Sequence, residues 1–287
     1  MAEQKILLSA DTPCDIGPEL TERYRVSLFP LHILLEDKQF TDGKDITNEE
    51  LFDAWHARKA LPRTAAINPE EYVAYFTEWV ERGYEILHIS LGSGLSSCCQ
   101  NAKIAAESFP GKVYVIDSCS LSTGFGLLVC EAGERIQRGM AAKDVYDEVL
   151  PLAQKTSASF VLDTLEFMRA GGRCSGFLQV SADVLSIKPT ILVRNDKHGG
   201  MVVGKKYMGH LDRALLKYVE DQLKGRDDIV TDRVFLTSSS RDMPFIDLVE
   251  RRVRELQPFK EVYRTVASST ISSHCGPNTL GVLFLTK

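Results

Sequence analysis

Apolar positions along the chain follow two periods, and they exchange at regular intervals. Short runs rich in β-branched and aromatic residues alternate with stretches whose apolar residues recur every three to four positions. Lys5–Ala10 reads as a first buried strand. Asp11, Thr12, Pro13 and Asp15 form a turn that opens a helix near Gly17–Tyr24. Arg25–Leu35 is a second extended run, broken at Pro30. Asn48–Lys59 is helical, with Thr47 placed to cap it and Glu50 three residues on, the spacing of a capping box. Asn68-Pro69 starts another helix, which runs through Arg82. The proline stands where its missing N–H leaves no bond unmade. Tyr84–Leu91 is a strand, followed by the loop Gly92-Ser93-Gly94-Leu95-Ser96 and a helix to about Ser108. Lys112–Asp117 is the next strand, and Ser118–Ser122 leads into an apolar helix over about Thr123–Arg138. Strand, loop, helix and strand here make one right-handed βαβ unit. Ala141–Lys155 reads as one more amphipathic helix.

The rhythm changes near residue 157. Ser159–Val161 and Leu185–Val193 read as strands, separated by the glycine-rich break Arg169-Ala170-Gly171-Gly172-Arg173. His198-Gly199-Gly200 reads as a hairpin turn before Met201–Lys206. His210–Lys224 and Met243–Leu256 are helical, while Arg233–Ser238, Val262–Ala267 and Gly281–Leu285 are strands. The pattern predicts an α/β protein with a boundary near residue 157 and a mixed second half.

Composition narrows the function classes. The chain has 287 residues, 44% apolar and 25% charged, as in soluble globular proteins. Its net charge of −5 argues against a nucleic-acid partner, which needs a strong positive field. The first apolar stretch ends at Asp11, too short for a signal peptide. No run approaches the ~18 apolar residues of a membrane span. The seven cysteines are odd in number, irregularly spaced and free of any CxxC, as expected of reduced thiols in a cytoplasm. Cys98 and Cys99 read as ordinary helix residues. The six histidines show no HxH or HxxxH pair, so no metal site and no cofactor are expected.

Four segments could carry chemistry. Gly92-Ser93-Gly94-Leu95-Ser96-Ser97, between strand and helix, offers free backbone N–H groups and hydroxyls to an anion, or is a plain turn. It has neither the Gly-Lys-Ser/Thr of a phosphate loop nor a GxSxG elbow. Thr64, in the polar connection Arg63-Thr64-Ala65-Ala66, is a local cap or a ligand hydroxyl. Arg173, after Gly171-Gly172, is a surface arginine or a fork of donors for a carboxylate. His274 stands in what reads as a Ser/Gly/Pro loop, Ser272-Ser273-His274-Cys275-Gly276-Pro277-Asn278, solvated or functional.

Together, and in this order along nearly the whole chain, these segments resemble the DegV family of bacterial fatty-acid-binding proteins. Asp11-Thr12-Pro13-Cys14-Asp15 is similar to the family's DS-x-x-D opening. Phe29-Pro30-Leu31 and Thr41-Asp42-Gly43 follow in place. Thr64-Ala65-Ala66 stands for T-S-Q, and Ser93–Gln100 for S-x-L-S-G-T-Y-Q. Ile116-Asp117-Ser118, Gly171-Gly172-Arg173 and Ile187-Lys188-Pro189 correspond to I-D-S, G-G-R and I-K-P. His274–Asn278 is similar to H-x-G-P-G. The resemblance implies a parallel three-layer α/β/α domain over 1–157 and a mixed α/β domain over 158–287, with a long-chain, palmitate-like fatty acid in a tunnel between them. Its carboxylate would be held by Thr64 and Ser96, with Ser93, Arg173 and His274 at the same polar end. It implies a non-catalytic subunit that presents the acid to a fatty acid kinase, which makes acyl phosphate for phospholipid synthesis, with peripheral membrane contact for lipid exchange. The apolar residues Phe125, Leu127, Leu128 and Val129 would form tunnel wall or packed core. Ala65-Ala66 and Ser97-Cys98-Cys99 depart from the family pattern beside the carboxylate. Lys205–His210 lacks the Arg-x-Arg kinase-docking pattern, with Arg213 and Lys217 as partial replacements. Two other readings rest on the residues: a Ser/His acyl hydrolase using Ser96 or Ser93 with His274 and Asp117, and a phosphate or nucleotide binder built on the loop after Leu91.

Overall fold

The computed structural model describes residues 5–175 and 187–287. Its first part comprises β1 (Ile6–Asp11), α1 (Gly17–Arg23), β2 (Ser27–Phe29), β3 (His32–Leu35), β4 (Lys38–Thr41), α2 (Asn48–Arg58), β5 (Arg63–Ala65), α3 (Pro69–Glu81), β6 (Glu85–Ser90), α4 (Cys98–Ala106), β7 (Val113–Asp117), α5 (Ser122–Gln137) and α6 (Ala142–Val149). β2, β1, β6 and β7 lie in that order in an all-parallel sheet. Helices α3 and α4 pack together beside β6 and β7, while α5 and α6 pack against the same sheet. This is the three-layer arrangement that buried parallel strands require. Strands β4, β3 and β5 form a separate antiparallel sheet.

Several local readings hold. Thr47 and Asn68 each close a capping box, with Glu50 and Glu71. Cys98 and Cys99 are buried helix residues. Others need correction. The extended run Arg25–Leu35 is two strands in two different sheets, because the chain leaves one at Phe29 and joins the other at His32. Thr64 is not in a loose connection: Arg63–Ala65 is a short strand paired with β3, Thr64 opposite Ile33. The helix expected over Ala141–Lys155 ends at Val149 and tightens into a 3₁₀ segment through Lys155, with Pro151 in its first turn.

The second part comprises β8 (Thr156–Val161), α7 (Glu166–Gly171), β9 (Cys174–Ser175), β10 (Ile187–Arg194), β11 (Gly200–Met208), α8 (Leu211–Leu223), β12 (Ile229–Ser238), α9 (Ile246–Leu256), β13 (Glu261–Val266), α10 (Ser269–Cys275) and β14 (Leu280–Thr286). All its strands join one mixed sheet, in the order β13-β12-β14-β8-β10-β11-β9. The strand expected from Leu185 has its first two positions outside the described residues. The glycine-rich break at 171–172 is the end of α7, where Gly172 takes the left-handed cap conformation. His274 lies in the helix α10, not in a loop.

Helix α5 touches β1 and β6 on one side and β8, β12 and β14 on the other. That position explains a helix buried on almost every face. Phe125, Leu127, Leu128 and Val129 are fully buried there in the main core. None of them lines the cavity described below, and they pack as core.

Candidate functional site

Asp11 organises the base of the site. It lies at the end of β1, fully buried, and accepts hydrogen bonds from Tyr72 (2.7 Å), Ser90 (2.6 Å) and the Leu91 N–H (2.9 Å). His88 Nε2 stands 3.2 Å away. Burial alone would raise the pKa of this carboxyl, but His88, Ser90 and Tyr72 outweigh it and hold the group below its ordinary range. A buried carboxylate thereby fixes the end of β6, where the loop of residues 92–97 departs.

That loop is held from two sides. Asp117, at the end of β7, accepts from the Ser93 N–H (3.1 Å) and Oγ (2.6 Å). The Gly94 N–H donates to the His198 carbonyl at 2.9 Å. A Cβ at Gly94 would lie 2.5 Å from the Lys197 carbonyl oxygen, so only glycine allows this approach. Ser96 Oγ accepts from the Cys98 N–H (3.2 Å) and donates to Cys98 Sγ (3.1 Å), at the start of α4.

α10 supplies the opposite side. Two buried carboxyl groups from the first half of the chain hold its N-terminus. Asp42 accepts from the Ser269 N–H (3.0 Å) and from Thr12 Oγ1 (2.9 Å), and Asp15 accepts from the Ser268 N–H (2.8 Å) and Ser122 Oγ (2.6 Å). Burial pushes the Asp15 carboxyl up to about 7, against the pull of those hydrogen bonds. Burial also raises Asp42. So anchored, α10 presents His274 to β5: His274 Nε2 lies 2.9 Å from Thr64 Oγ1. The imidazole is enclosed, and its Nδ1 has no hydrogen-bond partner among the described residues. Burial, helped by the positive charge of Arg173, lowers its pKa to about 4, so it is neutral at pH 7. A Cβ on Gly171 would lie 2.3 Å from that Nδ1, so the end of α7 can pass the ring only without a side chain. Arg173 is exposed beside it and donates to the Gly171 carbonyl (2.6 Å).

These elements enclose a cavity of about 490 Å³. All five residues singled out in the sequence line it: Thr64, Ser93, Ser96, Arg173 and His274. Sequence reasoning missed Thr270, whose only signal was the hydroxyl-rich run 268–273. It also missed the apolar wall, to which Leu31, Leu121, Phe160, Met168, Met201 and Ile271 contribute from six separate segments. The Ser/His pairing of a hydrolase is not assembled. Ser93 is bonded to Asp117 and Ser96 to Cys98, and the hydroxyl beside His274 is that of Thr64. A cavity of this size, apolar along one part and with hydroxyls, a neutral imidazole and a helix start at the other, suits a small amphipathic molecule.

Relatives share this architecture. The family model described as an uncharacterised protein of the DegV family matches residues 5–287. A DegV domain-containing protein of Deinococcus radiodurans is 26% identical over 286 residues, covering 96% of this chain and 97% of its own. A DegV family protein from Thermus thermophilus, whose structure is described as showing fatty acid binding, is 27% identical with a TM-score of 0.86, covering 99% of this chain and 100% of its own. A DegV family protein from Ruminococcus gnavus, described with vaccenic acid, has the same fold at 22% identity and a TM-score of 0.84, over 97% and 99% of the two chains. The chain belongs to the DegV family.

Proposed function

We propose that this protein is a non-catalytic carrier of a long-chain fatty acid. The observation that carries the reading is the hydrogen-bonded Thr64–His274 pair at the polar end of an otherwise apolar cavity. With its proton on Nε2, neutral His274 donates to Thr64 Oγ1. The Thr64 hydroxyl is then free to donate to a carboxylate. Ser96, at the start of α4, supplies a second hydroxyl, and Ser93 and Arg173 complete the polar end. Hydrogen bonds to a charged head group each contribute about 1.5–3 kcal/mol. A buried chain of ~16 carbons adds a gross gain of order 10 kcal/mol at ~0.8 kcal/mol per methylene, part of which offsets the loss of freedom on association. The fatty acid binding described for the Thermus relative supports the same reading.

The carrier presents its acid to a fatty acid kinase for acyl phosphate formation. Support comes from the polar end of the cavity, where Ser93, Ser97 and Arg173 are exposed, so that the head group stands near the surface.

Native mass spectrometry of protein purified from bacterial cells, followed by lipid extraction, tests the carrier. One co-bound fatty acid per chain is expected. A clean apo mass, with no uptake on titration with palmitate, overturns it. Incubation of the loaded protein with a fatty acid kinase and ATP tests presentation. Acyl phosphate is the expected product, and an unmodified acid overturns that step alone.

A further inference from the structure

Behind the ligand loop, three side chains of different chemistry converge. Asp117 ends β7, Cys119 follows it by two residues, and His198 projects from the turn between β10 and β11. Their ligand atoms all lie within 4.8 Å of one another. His198 Nδ1 is 3.4 Å from Asp117 Oδ2 and 3.8 Å from Cys119 Sγ. A tetrahedral zinc ion with bonds of ~2.0–2.1 Å to nitrogen and oxygen and ~2.3 Å to sulfur has ligand–ligand edges of about 3.3–3.6 Å. Both His198 distances are therefore within a few tenths of an ångström of those in a metal-bound set, and the third separation is at most 4.8 Å.

The surroundings favour the same use. The Asp117 carboxylate is oriented by donors from the Ser93 N–H, the Ser93 hydroxyl and the Cys119 N–H (2.9 Å), the outer contacts that hold a metal-binding carboxylate in place. Gln154 Nε2 donates to Cys119 Sγ at 3.4 Å. Asp117 and Cys119 are buried, whereas the His198 side chain is 66% exposed, so an ion has a route in and a fourth position open to water. His198 sits in the left-handed region at φ 52°, which holds its ring over the other two.

We propose that Asp117, Cys119 and His198 form a binding site for a divalent transition metal of the zinc class. A thiolate and an imidazole select such an ion over magnesium or calcium, which prefer all-oxygen sites. On binding, the Cys119 thiol releases its proton to solvent and its sulfur bonds the metal. The ion cross-links the end of β7 to the β10–β11 turn, the two structures that already hold the 92–97 loop through Ser93 and Gly94. None of the three ligands lines the cavity, and the proposed metal site does not rest on what the cavity holds.

Cobalt(II) titration of chelator-treated protein, without added lipid, tests this. One equivalent per chain should bind, with the visible bands of a tetrahedral ion and a near-ultraviolet thiolate charge-transfer band, and zinc should displace it. Cys119→Ser should abolish the charge-transfer band. His198→Asn keeps a residue tolerant of the left-handed backbone and should weaken binding by about tenfold or more. Because His198 is exposed, that variant reads metal affinity in an intact fold. No binding by the wild-type chain, a charge-transfer band surviving in Cys119→Ser, or unchanged affinity in His198→Asn each overturns the site.

Discussion

Thr64 and His274 are 210 positions apart, yet one hydrogen bond joins them, and the polar end of the cavity is built around it. Thr64→Ala combined with Ser96→Ala should lower fatty-acid affinity at least about tenfold, since each hydroxyl contributes about 1.5–3 kcal/mol to a charged partner. Displacement titration with a fluorescent fatty acid measures this, and unchanged affinity would remove the carboxylate site from Thr64 and Ser96. Gly171→Ala forces a methyl against His274 Nδ1 and should cost about 1–3 kcal/mol in urea unfolding, the usual range for overpacking. His274 also sets a pH dependence. Its imidazole stays neutral in the fold down to about 4, whereas in the unfolded chain it takes a proton near 6.5. The unfolded state then binds more protons, so this group's contribution to stability falls as pH drops from about 6.5 to 4. Unfolding curves of wild type against His274→Gln should show wild type losing stability relative to the variant as pH falls from about 6.5 to 4, and parallel curves would refute the lowered pKa. At this scale the sequence was legible where a residue type is itself unusual for its setting, as with the hydroxyls of the 92–97 loop, Arg173 after two glycines, and His274. Leu31, Met168 and Met201 carried no such mark, because an apolar residue facing a cavity looks like one facing a core. The trio of Asp117, Cys119 and His198 was hidden too, since a search for paired histidines passes over ligands of three kinds from two distant segments.

Among the elements, α10 shows best why the reading stopped short. Its residues, Ser-Thr-Ile-Ser-Ser-His-Cys, include no strong helix former, and from sequence they pass for a loop. The helix forms because tertiary contacts supply what propensity does not: the Ser268 side chain accepts from the Ile271 N–H, and Asp42 and Asp15 take the N–H groups of Ser269 and Ser268. β5 is a similar case, three residues held as a strand by pairing with β3. Helices with their own caps, such as those after Thr47 and Asn68, were placed correctly because their signals are local. The anchoring of α10 has a testable sign. Asp15 is held neutral up to about 7, while in the unfolded chain it ionises near 3.8. Between those values the folded state binds the extra proton, so the Asp15 contribution to stability declines as pH rises through that window. Asp15→Asn cannot ionise and should be insensitive there. Urea unfolding at pH 5 and pH 8 should show wild type losing ground to the variant, and parallel curves would refute the shifted carboxyl. Asp42→Ala should loosen α10 and weaken fatty-acid binding through His274, without touching the ligand itself.

For the whole molecule, the alternation of strands and helices was enough to foresee an α/β fold, which has a parallel sheet and a mixed one. What pattern could not foresee is the insertion of the small β4-β3-β5 sheet, whose strands are only three or four residues long. If the cavity holds a fatty acid, the ligand binds the folded state alone, and excess ligand at about 100 times Kd should raise stability by about 2.7 kcal/mol. Delipidated protein should accordingly melt at a lower temperature than protein resupplied with palmitate, and equal melting temperatures would argue against a site formed only by the native fold. The position of β14 bears on how the molecule is made. It lies between β12 and β8, in the interior of the seven-stranded sheet, although both neighbours leave the ribosome before it. Until β14 arrives, β12 and β8 have no partner on their facing sides, and α10, which closes the cavity, has only just been synthesised. A growing chain that still lacks residues 269–286 therefore has an open-edged sheet in need of shielding and no finished pocket, so a ligand can be enclosed only once this last segment has folded into place.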